Sequence, residues 1–192
     1  MTEFSIPGLT ESASRRIRDL LQTQLSTYND LHLTLKHVHW NVVGPNFIGV
    51  HQMIDPQVEL VRGFADQVAE RIAALGAAPL GTPGAILKDR TWDDYSIGRD
   101  TAQAHLAALD LVYTGVIVDI RRAIDELGEL DVVSQDILIG QAAELEKFQW
   151  FVRAHLETAD GQLVDHGADT EQRAAAAAKD IQPRRGINRS PR

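Results

Sequence analysis

Apolar residues recur every three or four positions along most of this chain, and this spacing restricts the fold more than any other feature. The first such series contains Ile17, Leu20, Leu21, Leu25, Tyr28, Leu31, Leu35 and Val38. This spacing places the side chains on one face of an α-helix, where they can pack against a core. It predicts a long amphipathic helix, helix A, over residues 13–41.

The same spacing predicts three further helices. Helix B is predicted over 47–75, helix C over 97–127 and helix D over 132–158. Their apolar series are Val50, Ile54, Val58, Val61, Ala65, Val68 and Ile72; then Leu106, Leu109, Val112, Val116, Ile120 and Ile124; then Ile137, Ile139, Leu145, Phe148, Phe151, Val152 and Leu156. No alternating pattern of the kind that indicates a strand competes with this interpretation.

The connections between these helices indicate how they are arranged. Helices A and B are separated by the short sequence Gly44-Pro45-Asn46, so they are expected to lie antiparallel. Residues 76–94 are rich in glycine and proline and form a long crossover, which leaves room for one short helical turn near 86–90. Four helices with one long middle connection predict an all-α, up-down-down-up bundle of the ferritin-like kind.

Two terminal segments flank the predicted bundle of residues 13–158. Residues 1–12 form a short N-terminal arm, and residues 159–192 are interpreted as a mobile basic tail because the apolar period is lost there. Residues 173–192 carry six basic side chains and one acidic side chain, which leaves a charge of about −13 on the rest of a chain whose net charge is −8. Such a division favours cations as partners of the body and polyanions as partners of the tail.

Composition excludes several kinds of chemistry. The chain has no cysteine, which rules out disulfides, thiol nucleophiles, iron–sulfur clusters and thiolate zinc sites. Any metal must therefore be bound by nitrogen and oxygen atoms. The N-terminus does not resemble a secretory signal, and no apolar run approaches the roughly 20 residues needed to cross a bilayer. A soluble, cytoplasmic protein is the expectation.

Candidate metal ligands lie in two pairs on helix B. His51 and Asp55 are one helical turn apart, and so are Asp66 and Glu70. The two pairs are separated by about 22 Å at 1.5 Å per residue, so one site cannot use both pairs from a single helix. No glutamate is followed by a histidine three residues later, so the usual site inside a ferritin-like bundle is not expected.

A twofold dimer would bring the separated pairs together. If helix B lies antiparallel to its copy, His51 and Asp55 of one subunit face Asp66 and Glu70 of the other, and two identical sites form. His39, across the short turn from helix B, is placed to join His51. Imidazole and carboxylate ligands suit ferrous iron or another first-row metal. The alternative is that these groups form an ordinary solvated polar face.

One run of residues resembles a known family. His39-Trp40-Asn41-Val42, Gly44 and Phe47, followed by His51, Asp55, Asp66 and Glu70, are similar to the Dps-like mini-ferritins, especially the actinobacterial ones. The resemblance implies a twelve-subunit shell with ferroxidase centres between twofold-related subunits. It implies iron oxidation, preferably by hydrogen peroxide, and storage of ferric oxide in the cavity. Trp40 would then be a local electron donor or a packing residue.

The resemblance also implies sites outside the ferroxidase centre. Asp131 and Asp136 resemble acidic residues that line iron-entry pores, although both also suit the first turn of a helix. The tail varies within the family, so it is interpreted from its own charge. The basic residues that are expected to bind DNA phosphates without sequence preference are Lys179, Arg184, Arg185, Arg189 and Arg192, and association with the nucleoid belongs to this expectation. The alternative is a tail that aids solubility or controls assembly.

Two other functions remain compatible with the sequence. An imidazole–carboxylate metal site can activate water, so a metal-dependent hydrolase of ester or amide bonds is chemically reasonable. Metal-dependent cleavage without iron turnover would favour this function. A structural protein that compacts the nucleoid, with a vestigial metal site, is the second alternative, and DNA protection that survives mutation of the ligands would favour it.

Overall fold

Helices account for nearly all of the regular structure in the computed structural model, which describes residues 6–90 and 92–180. The helices are α1 Glu11–Asn41, α2 Phe47–Ala74, α3 Pro83–Asp89, α4 Ala102–Gly128, α5 Val132–Ala154 and α6 Glu171–Asp180. Two short strands, β1 Val42–Val43 and β2 Asp100–Thr101, complete these elements. The predicted all-α fold is confirmed, with α1, α2, α4 and α5 as helices A to D.

Capping residues explain where the observed helices differ from the predicted ones. α1 begins at Glu11 because the Thr10 side chain accepts a hydrogen bond from the backbone of Ala13. α4 begins at Ala102, later than predicted, because Thr101 caps it in the same way. The residues before it pair in parallel with β1, so Val42 lies opposite Asp100. The short turn predicted in the crossover is α3.

Buried phenol groups join the two helix pairs of the bundle. α1 packs mainly against α2, and α4 packs mainly against α5. The Tyr28 hydroxyl of α1 donates to Gln141 Oε1 of α5 at 2.8 Å, and the Tyr113 hydroxyl of α4 donates to Gln57 Oε1 of α2 at 2.6 Å. Both tyrosines are fully buried, so these bonds lie in a low dielectric and hold the pairs in register.

α4 is long and apolar enough, by length and composition, to span a membrane. However, 61% of its most apolar window is buried inside the protein. Its apolar side chains pack against the neighbouring helices α5 and α6. The helix therefore has the character of a core helix.

The C-terminal region differs from the predicted tail of residues 159–192. Residues 171–180 form α6, which packs along α4 and buries Ala174, Ala175 and Ala178. Alanine favours helix formation, and its small side chain lets two helices approach closely. The alanine run therefore makes a packed helix, and the bundle extends beyond residue 158. Residues 181–192 lie outside the described part of the chain.

The packing of α6 can be tested by placing a charge on each of its faces. Ala174 is fully buried, whereas Ala176 is exposed. We expect Ala174→Asp to destabilise the docking of α6 by about 1–3 kcal/mol, because an unpaired charge would enter the contact with α4. Ala176→Asp is the matched control and should change docking little. Hydrogen exchange of residues 171–180 measures the difference, and equal protection in the two variants would contradict the observed packing.

Candidate metal centre

Three of the predicted ligands lie together at one end of the bundle. His39 is in the last turn of α1, and His51 and Asp55 are in the first turns of α2. One potential ligand atom from each residue lies within 4.8 Å of the others. Within residues 6–90 and 92–180, no other group of three histidine, aspartate or glutamate side chains meets this condition. The structure thus brings together the half of the site that one subunit was predicted to supply.

The sharp turn between α1 and α2 makes this arrangement possible. Gly44 has φ 85° and Asn46 has φ 67°, and both values lie in the left-handed region. Glycine adopts this conformation without steric cost, and asparagine tolerates it better than most residues. The chain reverses direction within five residues, so the last turn of α1 lies directly beside the start of α2.

Reciprocal hydrogen bonds hold the two imidazole rings in place. His39 Nδ1 lies 3.1 Å from the carbonyl oxygen of His51, and His51 Nδ1 lies 2.9 Å from the carbonyl oxygen of His39. A carbonyl oxygen only accepts hydrogen bonds, so each Nδ1 carries a proton, and Nε2 is the nitrogen with a lone pair when the ring is neutral. The rings are stacked, with centroids 3.6 Å apart and an interplanar angle of 25°. The two stacked rings therefore each offer a nitrogen atom as a potential metal ligand.

Asp55 adds an ionised carboxylate to this pair. Its Oδ1 lies 3.0 Å from His39 Nδ1 and accepts a hydrogen bond from Lys36 Nζ at 2.9 Å. The hydrogen bond from Lys36 lowers the pKa of Asp55 below its usual value, with a further contribution from the nearby histidines. Asp55 Oδ2 accepts no hydrogen bond from the residues that the structure describes. This oxygen is available to bind a cation.

Lys36 is a site residue that the sequence analysis missed. It lies one helical turn before His39 on α1, and its side chain is 31% exposed beside Asp55. The spacing between Lys36 and His39 was a usable signal, but lysine is too common on helix surfaces to single out. Its ammonium group balances the carboxylate charge, so a metal ion bound to Asp55 must compete with it.

Three exposed apolar side chains belong to the same ends of α1 and α2 as the half-site. Trp40 is 70% exposed, Ile48 is 56% exposed and Phe47 is 38% exposed. The Phe47 ring lies 5.0 Å from the His51 ring, between centroids. Trp40 therefore does not pack within its own chain. Large apolar groups that are exposed close together are typical of surfaces that bind another molecule.

The second predicted ligand pair is far from the first in one chain. Asp66 and Glu70 lie near the other end of α2, and both are exposed. α2 is continuous between the two pairs, so a rise of 1.5 Å per residue places them about 22 Å apart. Asp66 lines a cavity of about 380 Å³, which His32 and Arg62 also line. One described chain thus carries the two predicted ligand pairs toward opposite ends of the same helix.

The two predicted pore residues differ in their surroundings. Asp131 is the N-cap of α5; it accepts hydrogen bonds from the Ser134 backbone and hydroxyl, and it pairs with Arg71 at 2.6 Å. Burial disfavours its charge, but these bonds outweigh the burial and lower the pKa of Asp131. Its side chain is only 8% exposed and is engaged within its own chain, and its role at a pore stays a prediction. Asp136 is exposed and remains a candidate.

The predicted DNA-binding residues are only partly described. Lys179 lies on α6, where its ammonium group pairs with the carboxylate of Asp100. This contact attaches α6 to the start of α4, so Lys179 is engaged within the chain. The remaining predicted residues, Arg184, Arg185, Arg189 and Arg192, lie outside the described residues.

Comparison with known proteins identifies the family of the chain. The ferritin-like domain family matches residues 18–161. The chain is 73% identical over 179 residues to the DNA protection during starvation protein of Mycolicibacterium smegmatis. The aligned region covers 93% of this chain and 98% of that protein.

Two solved structures give the same result. Mycobacterium smegmatis Dps matches with a TM-score of 0.87 at 74% identity, covering 88% of this chain and 97% of that one. DpsA14 from Streptomyces coelicolor matches with a TM-score of 0.82 at 60% identity, covering 84% of this chain and 96% of that one. The sequence comparisons and the structure comparisons thus identify the same relatives over the four-helix body. The chain therefore belongs to the ferritin-like family and, within it, to the Dps proteins.

Proposed function

We propose that this protein is a ferroxidase that binds ferrous iron between two subunits, oxidises it and stores the ferric product inside a closed shell of subunits. The observation that carries the proposal is the incomplete cluster of His39, His51 and Asp55, with two further carboxylates held on the same helix but out of reach. When α2 lies antiparallel to α2 of a second subunit, the cluster of one subunit and the distant carboxylate pair of the other can form one metal site.

The ligand types fit iron as the substrate. Each half-site presents two imidazole Nε2 atoms and a carboxylate, and Asp66 and Glu70 of the partner subunit would add two carboxylates. Such mixed nitrogen and oxygen ligands with open positions suit ferrous iron. The added carboxylates also supply negative charge, which favours the ferric state after oxidation. Lys36 would move away from Asp55 as the iron ion replaces its charge.

The exposed apolar surface supports this assembly. Phe47 lies beside His51, and Trp40 and Ile48 are exposed at the same ends of α1 and α2; all three would be buried if a second subunit covers this end of the bundle. A twofold dimer would remove water from the site and complete its ligands in one step. Trp40 would then pack against the partner subunit or donate an electron locally. We further propose a dodecamer built from these dimers.

Hydrogen peroxide is the oxidant that we propose. Two ferrous ions together supply the two electrons that reduce one peroxide molecule, and with two protons the products are two ferric ions and two water molecules. Because both electrons are transferred at one place, no hydroxyl radical is released. This balance gives the protein a protective function as well as a storage function.

DNA binding is a second part of the proposal. The relatives include DNA protection during starvation proteins, and the arginines of residues 181–192 carry the positive charge that phosphates require. The body carries a charge of about −13 and repels DNA. A few arginines per chain therefore support DNA binding only when many copies act together on one DNA molecule. A multi-subunit shell would provide those copies.

The function is tested by following ferrous iron oxidation with peroxide and with air while particle size is measured. We expect peroxide to consume two ferrous ions per molecule and to be the faster oxidant. The iron should remain with a particle of constant size. Metal-dependent hydrolysis without iron turnover, or loss of the ferric product into solution, would contradict the proposal.

Removing two ligands together should abolish rapid oxidation. We expect His51→Ala with Asp55→Ala to slow iron oxidation by at least about 100-fold, because a lost ligand costs no less than a lost supporting contact. The helical fold should persist, since both side chains are partly exposed at the surface of the bundle. Stopped-flow absorbance measures the rate, and circular dichroism measures helix content.

The control for this variant replaces one histidine and one aspartate elsewhere. His166 and Asp160 are exposed and lie outside the cluster. His166→Ala with Asp160→Ala should oxidise iron at the unchanged rate. An equal rate in the ligand variant and this control would show that the cluster is not the oxidation site.

The two pore candidates should behave differently. We expect Asp131→Ala to lower the free energy of unfolding by about 2 kcal/mol at pH 7, because a helix cap and the pair with Arg71 are lost. Since the folded-state pKa of Asp131 is lowered, this contribution exists above its unfolded pKa and disappears as pH falls through the folded value. Asp136→Ala should leave stability within about 0.5 kcal/mol but slow iron uptake.

Urea unfolding at several pH values and iron uptake kinetics separate these effects. Slower uptake in Asp131→Ala than in Asp136→Ala, with stability unchanged, would reverse the roles that we assign to the two residues.

A further inference from the structure

An acidic groove lies on the bundle surface, away from the metal centre. Its cavity of about 490 Å³ is bounded by α1, α4, the crossover and the segment that leads into α6. Six carboxylates line it, and no lysine or arginine does: the acidic residues are Asp30, Asp93, Asp94, Asp119, Asp169 and Glu171. Neither the fold nor the proposed iron site explains this concentration of negative charge.

The cations near the groove do not balance its charge. Arg90 serves both Asp30 and Asp94, while Arg122 pairs with Asp119 and Arg173 with Asp169. Three guanidinium groups thus face six carboxylates. The carboxylates of Asp93 and Glu171 have no cation within 4.0 Å among the residues that the structure describes. Glu171 accepts hydrogen bonds only from the backbone and hydroxyl of Ser96.

The floor of the groove is apolar. Leu111, Val112 and Val116 of α4 are half-buried there, and Trp92 forms part of one wall. The Trp92 indole donates to Asp30 at 2.7 Å, which leaves the ring fixed in the wall. An acidic rim above an apolar floor suits a peptide that combines arginines with aliphatic side chains.

Residues 181–192 of this chain have that composition. They contain Arg184, Arg185, Arg189 and Arg192 with no acidic residue, and they also contain Ile181 and Ile187. Four positive charges complement the three carboxylate charges that the local arginines leave unbalanced. Arginine is also the residue best suited to bind carboxylates through two parallel hydrogen bonds.

Residues 181–192 are long enough to extend from the end of α6 to the groove. α6 ends beside Asp100, as its Lys179 contact shows. The groove floor at residues 111–116 of α4 lies about 17–24 Å further along that helix, at 1.5 Å per residue. Twelve extended residues span about 40 Å. The segment can therefore turn back along α6 and enter the groove of its own chain.

We infer that residues 181–192 dock into the acidic groove of their own chain, with arginines on the rim carboxylates and isoleucines on the apolar floor. Docking withdraws the arginines from phosphates, so the groove competes with DNA for the same segment. Added salt weakens both interactions, because both depend on exposed charge pairs. The docking itself needs neither iron nor DNA, and only its effect on DNA rests on the proposed function.

Docking can be detected with one fluorescent label on the full-length protein. The chain has no cysteine, so Ser190→Cys gives a unique site for bimane, whose fluorescence tryptophan quenches on contact. We expect quenching that Trp92→Phe relieves. Trp150→Phe is the matched control, because Trp150 is exposed outside the groove and should leave the quenching unchanged. Equal fluorescence in the two variants would overturn the inference.

Mixed particles identify which chain supplies the groove. Labelled subunits that carry Trp92→Phe are assembled with unlabelled subunits that retain Trp92. Fluorescence should remain unquenched, because each segment stays on its own chain. Quenching in these particles would assign the groove to a neighbouring subunit and overturn docking within one chain.

Charge variants test the competition with DNA. Asp93→Asn with Asp119→Asn should relieve the quenching and tighten duplex DNA binding by about two- to thirtyfold, because two rim contacts are lost. Asp125→Asn with Glu129→Gln removes the same charge from exposed positions outside the groove and corrects for general repulsion. Equal quenching in both double variants would overturn docking. Relieved quenching without tighter binding would retain docking but contradict the proposed DNA contact.

Discussion

The candidate metal centre depends on the reciprocal hydrogen bonds between His39 and His51, in which each ring bonds to the other residue's carbonyl oxygen. They exist because the chain reverses within five residues at Gly44 and Asn46. The bonds fix the position of both rings and leave both Nε2 atoms free to bind a metal ion. The start of α2 and the position of Asp55 beside His39 both depend on this junction.

One helix, α2, separates the two ligand pairs that the proposed iron site combines. α2 is continuous from Phe47 to Ala74, and its rise keeps Asp66 and Glu70 about 22 Å from His51 and Asp55 within one subunit. Under the proposed function, catalysis therefore requires assembly: an isolated subunit holds incomplete sites, and the dimer completes two of them. This requirement would restrict iron oxidation to particles that can also retain the product.

The sequence predicted the features that depend on periodic spacing and missed those that depend on tertiary contacts. Four helices and the cluster of His39, His51 and Asp55 could be predicted because helical spacing and one short turn determine their positions. The packing of α6 was missed because alanine gives a weak apolar signal, although Ala174 and Ala178 are one turn apart. The engagement of Asp131 with Arg71 and the contact of Lys36 with Asp55 connect residues on different helices, which local sequence does not show.

Complementation between two inactive variants tests subunit sharing most directly. Subunits with His51→Ala and Asp55→Ala are co-expressed in equal amounts with subunits carrying Asp66→Ala and Glu70→Ala, and two affinity tags select mixed particles. Each variant alone should be inactive. In mixed dimers one of the two sites has all its ligands, so random pairing should restore about one quarter of the normal oxidation rate. Background activity in mixed particles, or activity in either variant alone, would contradict a site shared between subunits.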